Sequence, residues 1–353
     1  MANKVTGSTD TTGALTIAQK MPKSVLLVGR VKGTPEKETE AEVLFSIIGT
    51  ADAESRFGKG HVFVKAVKAL IQNGVDSMYG IIVSETIKED YAMKDNYANA
   101  LERSLGEASV KCIIMDDYDT ANVTELKTHL NMAEANDLFR YAVIAAESDD
   151  NDTIVQYAKD LNNSRIFYVG PTFTDGENII DKVIVAAGMT GVIMTETDDP
   201  ALPMNGVVIN GIGNVNKAVL ESERKLLANN GVTALYNDGQ PVIYRLVTSY
   251  QTDEIWHEGT TRFIADYVLE NVENVLRASY KRTKNVVRIL DSIKTTVRGV
   301  LESFNALEII ENFDPKTLTV VKDPTDLYGA LVDYEFDVVT PLYTITINQH
   351  MKL

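Results

Sequence analysis

Apolar and polar positions follow two rhythms along this chain, and the rhythm changes near residue 200. Two apolar runs come first, Ser24-Val25-Leu26-Leu27-Val28-Gly29 and Val43-Leu44-Phe45-Ser46-Ile47-Ile48-Gly49, separated by a charged loop from Lys32 to Glu42. Residues His61 to Gln72 then place Val62, Val64, Val67, Leu70 and Ile71 near helical spacing, with Gly74 as a stop signal. The alternation continues with strands predicted at Met78–Val83, Val110–Met115, Tyr141–Ala146 and Arg165–Gly170. Between and after them, helices are predicted at Asp90–Gly106, Asp119–Ala135, Thr153–Leu161 and Asn178–Ala187. Strands alternating with helices over short links predict a parallel sheet covered on both faces. Right-handed crossovers make it a doubly wound α/β layer, expected over residues 21–198.

The rhythm shifts at Asp198-Asp199-Pro200-Ala201-Leu202-Pro203, which reads as a linker. An α+β domain is expected over 199–340. Gly206–Ile212 reads as extended, Asn216–Asn229 as a helix and Pro241–Thr248 as a strand. Long helices follow at Thr260–Tyr280 and Lys284–Phe304, then extended segments at Thr317–Val321 and Leu331–Val339. In the last of these Val332, Tyr334, Phe336 and Val338 share one face while Asp333, Glu335 and Asp337 share the other, the mark of a half-buried antiparallel strand. Residues 1–20 are polar and read as an arm. After Pro341, Leu342-Tyr343-Thr344-Ile345-Thr346-Ile347 alternates again in aromatic and β-branched residues. This C-terminal β segment, 341–353, is either an internal edge strand or an arm that pairs with another sheet.

Composition and charge narrow the function. The 353 residues are 44% hydrophobic, enough for two domains with real cores. No apolar stretch is long enough to insert in a membrane, and the N-terminus carries no apolar signal core. A net charge of −16 argues against nucleic acid as a partner. One stretch opposes the average. Arg277, Lys281, Arg282, Lys284, Arg288, Lys294 and Arg298 are accompanied only by Asp291, which leaves a net −22 on the rest of the chain. At about 100° per residue, all of these cations but Arg282 fall within a stripe of roughly 140°. Leu290, Ile293, Val297, Val300, Leu301 and Phe304 lie opposite. Arg282 falls on the apolar side, so a break is expected near Thr283–Asn285. The stripe is either a solvated face or a docking element for an acidic partner.

Signals for chemistry are weak. His61, His129, His257 and His350 lack metal-ligand spacing, so no zinc or other cofactor is expected. His257 reads as a surface residue, and Cys112 as a buried inert thiol. Gly58-Lys59-Gly60 lacks the rest of a phosphate-binding loop and reads as a turn before a helix. Asp116-Asp117 follows a strand, where ligands bind in doubly wound sheets. It supports one alternative function, a small-molecule or nucleotide-binding α/β protein, or an enzyme of that kind, using the strand ends near Asp116.

Three segments together carry a resemblance. The first is Phe57-Gly58-Lys59-Gly60, a helix ending Gln72-Asn73-Gly74-Val75, and the strand Met78-Tyr79-Gly80-Ile81-Ile82-Val83. The second runs from Asn205–Ile212 through Glu221–Leu227 and Asn230-Gly231-Val232-Thr233-Ala234-Leu235 to Val242–Thr248. The third is the helix pair and β tail of 260–353. In order and spacing they resemble the contractile tail sheath proteins of phages and R-type bacteriocins, although the family's N-terminal Pro-Gly motif is missing. The resemblance implies a structural subunit, not an enzyme. It would polymerise helically with itself around an acidic inner tail tube, between baseplate and tail terminator proteins. It would assemble in the bacterial cytoplasm as part of a virion tail or bacteriocin. The resemblance assigns tube docking to Lys284, Arg288, Lys294 and Arg298. It assigns strand exchange to the terminal arms, including Leu342, Tyr343, Thr344, Ile345, Thr346 and Ile347.

Overall fold

A computed structural model describes residues 23–84, 96–343 and 347–349. The expected N-terminal arm, 1–20, lies outside them. In chain order the elements are β1 (Ser24–Gly29), β2 (Leu44–Ile47), α1 (Thr50–Phe57), α2 (Val62–Gln72), β3 (Met78–Ile82), α3 (Asn96–Arg103), β4 (Val110–Met115), α4 (Thr120–Glu134) and β5 (Tyr141–Ala145). They continue with α5 (Asn151–Leu161), β6 (Ile166–Gly170), β7 (Phe173–Asp175), β8 (Asn178–Ile179), α6 (Lys182–Glu196), β9 (Asn214–Val215), α7 (Glu221–Asn229), β10 (Val232–Asp238) and β11 (Gln240–Ile243). Last come α8 (Glu254–His257), α9 (Gly259–Ser279), α10 (Val287–Ala306), β12 (Ile310–Glu311), β13 (Thr319–Lys322), β14 (Ala330–Asp333) and β15 (Asp337–Val338). No helix among the described residues is long and apolar enough to cross a membrane.

The chain forms two compact units. One comprises residues 22–198, 202–262 and 341–353. Its eight-stranded sheet runs β11-β10-β6-β5-β4-β1-β3-β2. Pairing is parallel from β10 to β3 and antiparallel only at the two edges. Strands β1, β5 and β6 are buried at every position, as expected of apolar runs covered on both faces. The predicted α/β layer is therefore present, but its expected boundary at 198 is not where the chain divides. Val232–Ala234 of β10 pair in parallel with Tyr168–Gly170 of β6, so residues up to 262 complete the same sheet. Val232, Thr233, Ala234 and Leu235 are all buried, with the Thr233 hydroxyl donating to the Val247 carbonyl at 2.9 Å, so the strand suits a place covered on both faces beside β6.

Several predicted helix limits also move. Asn178 and Ile179 form a short strand, and the helix starts later, at Lys182, where the Asp181 side chain accepts the Val183 N–H at 2.8 Å. That helix, α6, is buried from Val183 through Met194. It approaches α2 closely because Gly191 has no side chain. A Cβ there would sit 2.6 Å from the Cβ of Asn73. The helix predicted from Asn216 begins at Glu221, where the Leu220 N–H donates to Glu223 at 2.8 Å. Helix α1 has no counterpart in the sequence reading. Of the helix predicted from Asp90, Asn96–Arg103 is present with a 3-10 turn at Ser104–Gly106, and 90–95 lie outside the described residues.

Buried guanidinium groups bind the helices to the sheet. Arg140 is fully buried and donates to the Ser104 hydroxyl and carbonyl and to the Glu107 carbonyl, at 2.7–2.8 Å. Burial and this guanidinium push neighbouring His129 down to about 3. At the same edge of the sheet, before the neighbouring parallel strand, Glu134 lies between Arg165, at 2.8 Å, and Arg262, joining the end of α4 to the start of β6 and the first turn of α9.

The second unit contains 199–201 and 263–340. Ile264, Val268 and Val272 of α9 and Leu290, Val297, Val300, Leu301 and Phe304 of α10 are buried, most of them in one apolar cluster with Ile309, Ile310 and Leu318. Val332, Tyr334, Phe336 and Val338 pack on that cluster, as their alternation requires. The expected single strand over 331–339 is two short ones. Ala330–Asp333 pairs with β13, while Asp337–Val338 pairs with β12.

Glu134 supplies a test of the first unit. The Arg165 hydrogen bond holds its carboxyl down at about 2, with further help from Arg262. A depressed carboxylate pKa stabilises the fold above the unfolded value of about 4.3 and loses that contribution as pH falls toward 2. Because the carboxylate is partly exposed, Glu134→Gln is expected to cost about 1–3 kcal/mol at pH 7, less than breaking a fully buried pair. Urea unfolding should show that difference at pH 7 and its disappearance near pH 2.

Candidate functional site

The basic stretch straddles a turn. Helix α9 ends at Ser279, Arg282 takes a left-handed conformation at φ 59°, and α10 begins at Val287, so the break expected near 283–285 is present. The Tyr280 hydroxyl shares hydrogen bonds with Thr296 at 2.7 Å and Ser292 at 3.0 Å, folding the turn back onto α10. Arg288, Lys294 and Arg298 are exposed on α10, opposite its buried apolar side. Lys284 is exposed but precedes the helix, so it belongs to the turn and not to the helical stripe. The stripe is also less purely cationic than its count suggests. Arg298 bonds Glu302 at 2.7 Å, and at about 100° per residue Asp291 falls among the three cations. Lys284, Arg288 and Lys294 form no ion pair among the described residues.

The C-terminal segment is fastened before it leaves. The Tyr343 hydroxyl donates to Glu258 at 2.6 Å, and Arg245 lies 4.9 Å over the Tyr343 ring. The same Arg245 holds Glu258 at 2.8 Å. Burial and the Glu258 charge push the Tyr343 phenol well above its ordinary value. Its neighbours differ, for Leu342 is 70% exposed and Ile347 85% exposed. Thr344, Ile345 and Thr346 lie outside the described residues, and 341–343 and 347–349 carry no strand. Tyr343, expected to act in a neighbouring subunit, is therefore bound to its own chain. Sequence spacing gave no sign of the Arg245–Glu258–Tyr343 anchor, because only the fold brings these positions together.

The strand ends near Asp116 are filled. Strand order places Asp116 where the crossover direction reverses, between β1 and β4, the usual ligand position in such sheets. Here Asp116 accepts the Arg30 N–H at 2.8 Å and the Tyr97 hydroxyl at 2.6 Å, and it faces His61 Nε2 at 3.4 Å. His61 Nδ1 accepts the Phe63 N–H at 3.1 Å, capping α2, so Nε2 carries the proton toward Asp116. The Phe63 ring lies against Gly29, where a Cβ would meet it at 2.6 Å. The carboxylate is consumed by internal donors. Gly58-Lys59-Gly60 is the turn before α2, as read from sequence, with the Lys32 ammonium on the Gly60 carbonyl at 3.1 Å. His257, expected at the surface, is half-buried, with its two ring nitrogens 2.9 and 2.8 Å from the carbonyls of Tyr250 and Ala228.

Residues 92–249 match the model of the phage tail sheath protein central domain, and 251–352 that of the phage tail sheath C-terminal domain. No curated protein matches. The fold is similar to the helical sheath of the anti-feeding prophage in its contracted state, at TM-score 0.74 and 15% identity, covering 100% of this chain and 99% of that one. It is also similar to a sheath tail protein of Listeria innocua, at TM-score 0.68 and 11% identity, covering 94% and 96%. A sheath tail protein of Desulfitobacterium hafniense gives TM-score 0.67 and 9% identity, covering 91% and 94%. The chain belongs to the phage tail sheath family, and its role is that of a structural subunit of a contractile sheath.

Cys112 gives a check on the packed sheet beside Asp116. It is fully buried, and burial pushes its thiol up to about 12. A thiol reagent at pH 8 is expected to leave the native chain unlabelled and to titrate one thiol per chain in denaturant.

Proposed function

We propose that this subunit polymerises helically around an inner tube, and that contraction of the polymer drives the tube through a target envelope. The two family matches, over 92–249 and 251–352, carry the reading. The chain-long similarity to a sheath described as helical and contracted supports it. The work is mechanical, and no residue is assigned a catalytic role. Two sets of contacts between subunits differ in free energy, and switching from one to the other releases the difference. Assembly takes place in the bacterial host cytoplasm, between baseplate and tail terminator proteins, and yields part of a virion tail or bacteriocin.

The residues after Tyr343 act as an arm. Tyr343 fixes the root, and Thr344, Ile345, Thr346 and Ile347 pair with a neighbouring sheet, where Leu342 and Ile347 also find cover. Truncation after Tyr343 keeps the root and removes the arm. We expect a folded chain with unchanged melting that forms no tubes under the electron microscope. Covering each isoleucine contributes on the order of 1.5–3 kcal/mol. Normal tubes from the truncated chain would reject the arm.

Lys284, Arg288, Lys294 and Arg298 face an acidic inner tube. Each exposed pair is weak, roughly 0–1 kcal/mol, so a lattice of them holds firmly while single contacts break easily. Reversing all four charges should leave the fold intact, because Leu290, Val297, Val300 and Leu301 are untouched, and should abolish assembly on the tube. Raising salt from 0.1 M to 1 M should weaken wild-type docking, as the screening length falls from about 10 Å to about 3 Å. Normal tube-guided assembly by the reversed variant would return these residues to a solvated surface.

A further inference from the structure

The hairpin of β13 and β14 has two faces. Val320 and Val332 pack inward on the apolar cluster of the second unit. Val321 and Leu331, opposite each other in the ladder, turn outward and are about half exposed. Beyond them the connecting loop carries Leu327 and Tyr328, 81% and 88% exposed. This loop is tightly hydrogen-bonded. Asp323 Oδ1 accepts the N–H of Thr325 at 2.7 Å, the Thr325 hydroxyl at 2.6 Å and the N–H of Asp326 at 3.2 Å. Asp326 Oδ1 accepts the Tyr328 N–H at 2.9 Å. Both loop carboxylates are thus engaged by backbone donors, and a fixed backbone holds two large apolar side chains in water.

A second contact places charge beside them. Asn285 Nδ2 donates to the Gly329 carbonyl at 2.9 Å, fastening the turn between α9 and α10 to this tip. That turn carries Lys281, Arg282 and Lys284, all exposed and none in an ion pair among the described residues. Apolar groups clustered in water and rimmed by charge mark an interaction surface. A backbone already fixed reduces the ordering cost of docking.

We propose that this knob, Leu327 and Tyr328 with Lys281 and Arg282 of the adjoining turn, docks on an acidic face of a second copy of this chain. Charge permits that occupant, and an open polymer requires it. The chain carries a net −16, and −22 outside Arg277–Arg298, so a second copy is opposite in net charge to the cations beside the knob. An open helical polymer also requires two unlike patches on every subunit, one docking into the other. The inference rests on the reading of the chain as a helical polymer, and the knob is separate from Lys284 in the turn and from Arg288, Lys294 and Arg298 on α10.

The test replaces Tyr328 in the full-length chain with a benzophenone amino acid, irradiates it with and without inner-tube protein, and maps the crosslinks by mass spectrometry. Crosslinks to acidic peptides of a second copy in both conditions are expected, weakened by 1 M salt. Crosslinks to the tube alone, within one chain alone, or none at all overturn the proposal. A chain carrying Leu327→Ser and Tyr328→Ser should need about tenfold more protein to assemble, with unchanged melting because Val320 and Val332 stay in place. Assembly at the wild-type concentration overturns it. Electron microscopy of the wild type separates the two readings. Absence of tubes withdraws the polymer, while crosslinking in concentrated solution still decides whether the knob contacts a second copy.

Discussion

A sheet whose central strands are parallel must be covered on both faces, and that requirement shapes the first unit. Each crossover has to return over one face or the other, and strands β1, β5 and β6 leave no position for water. Helix α6 meets the demand in the extreme, since its residues from Val183 to Met194 are all buried. Such a helix cannot be amphipathic, and it must approach its neighbours closely. Gly188 and Gly191 allow this, with Ile212 and Asn73 occupying the space where side chains would stand. The same demand fills the strand ends. Asp116 turns inward to Arg30, Tyr97 and His61, and Phe63 closes over Gly29, so the place where this fold commonly binds ligands is used for packing.

Charge follows the same logic of burial. The guanidinium groups of Arg140 and Arg165 lie inside the layer, where each must find oxygen acceptors. Arg140 takes them from the ends of a helical turn, Ser104 and Glu107. Arg165 takes Glu134, which also draws in Arg262 at the start of α9. These groups fix where helices end and leave little freedom within the unit. The cations of the 277–298 stretch behave differently. Those in no ion pair among the described residues lie on one turn and one helix face, and the helix face is backed by an apolar core that their substitution would not disturb.

A mechanical subunit suits this division. Rigid units transmit displacement, while weak, repeated surface contacts can exchange one set for another without unfolding. In this chain the packed interior supplies the first property. Exposed groups at the C-terminal segment, on α10 and at the β13–β14 tip supply candidates for the second.

Much of the fold was legible in the sequence because local burial writes itself as periodicity. Val110–Met115 forms the strand it was expected to form, and the apolar side of α10 is the one its spacing gave. Alternation likewise placed Val332, Tyr334, Phe336 and Val338 on the core side, even where the strand itself is interrupted. Three features were decided only by tertiary structure. Strand β10 joins the first sheet because β6 offers a free parallel edge, a pairing between residues more than sixty positions apart that no local pattern encodes. Tyr343 binds its own chain because Arg245 and Glu258 arrive beside it from distant segments. The cationic stripe is interrupted because Lys284 falls in a turn and Arg298 finds Glu302 one helical turn away. Periodicity reports which side of an element is apolar, a property of neighbouring residues. Partner choice depends on which distant groups the chain brings within bonding distance, and that is fixed only when the whole core closes.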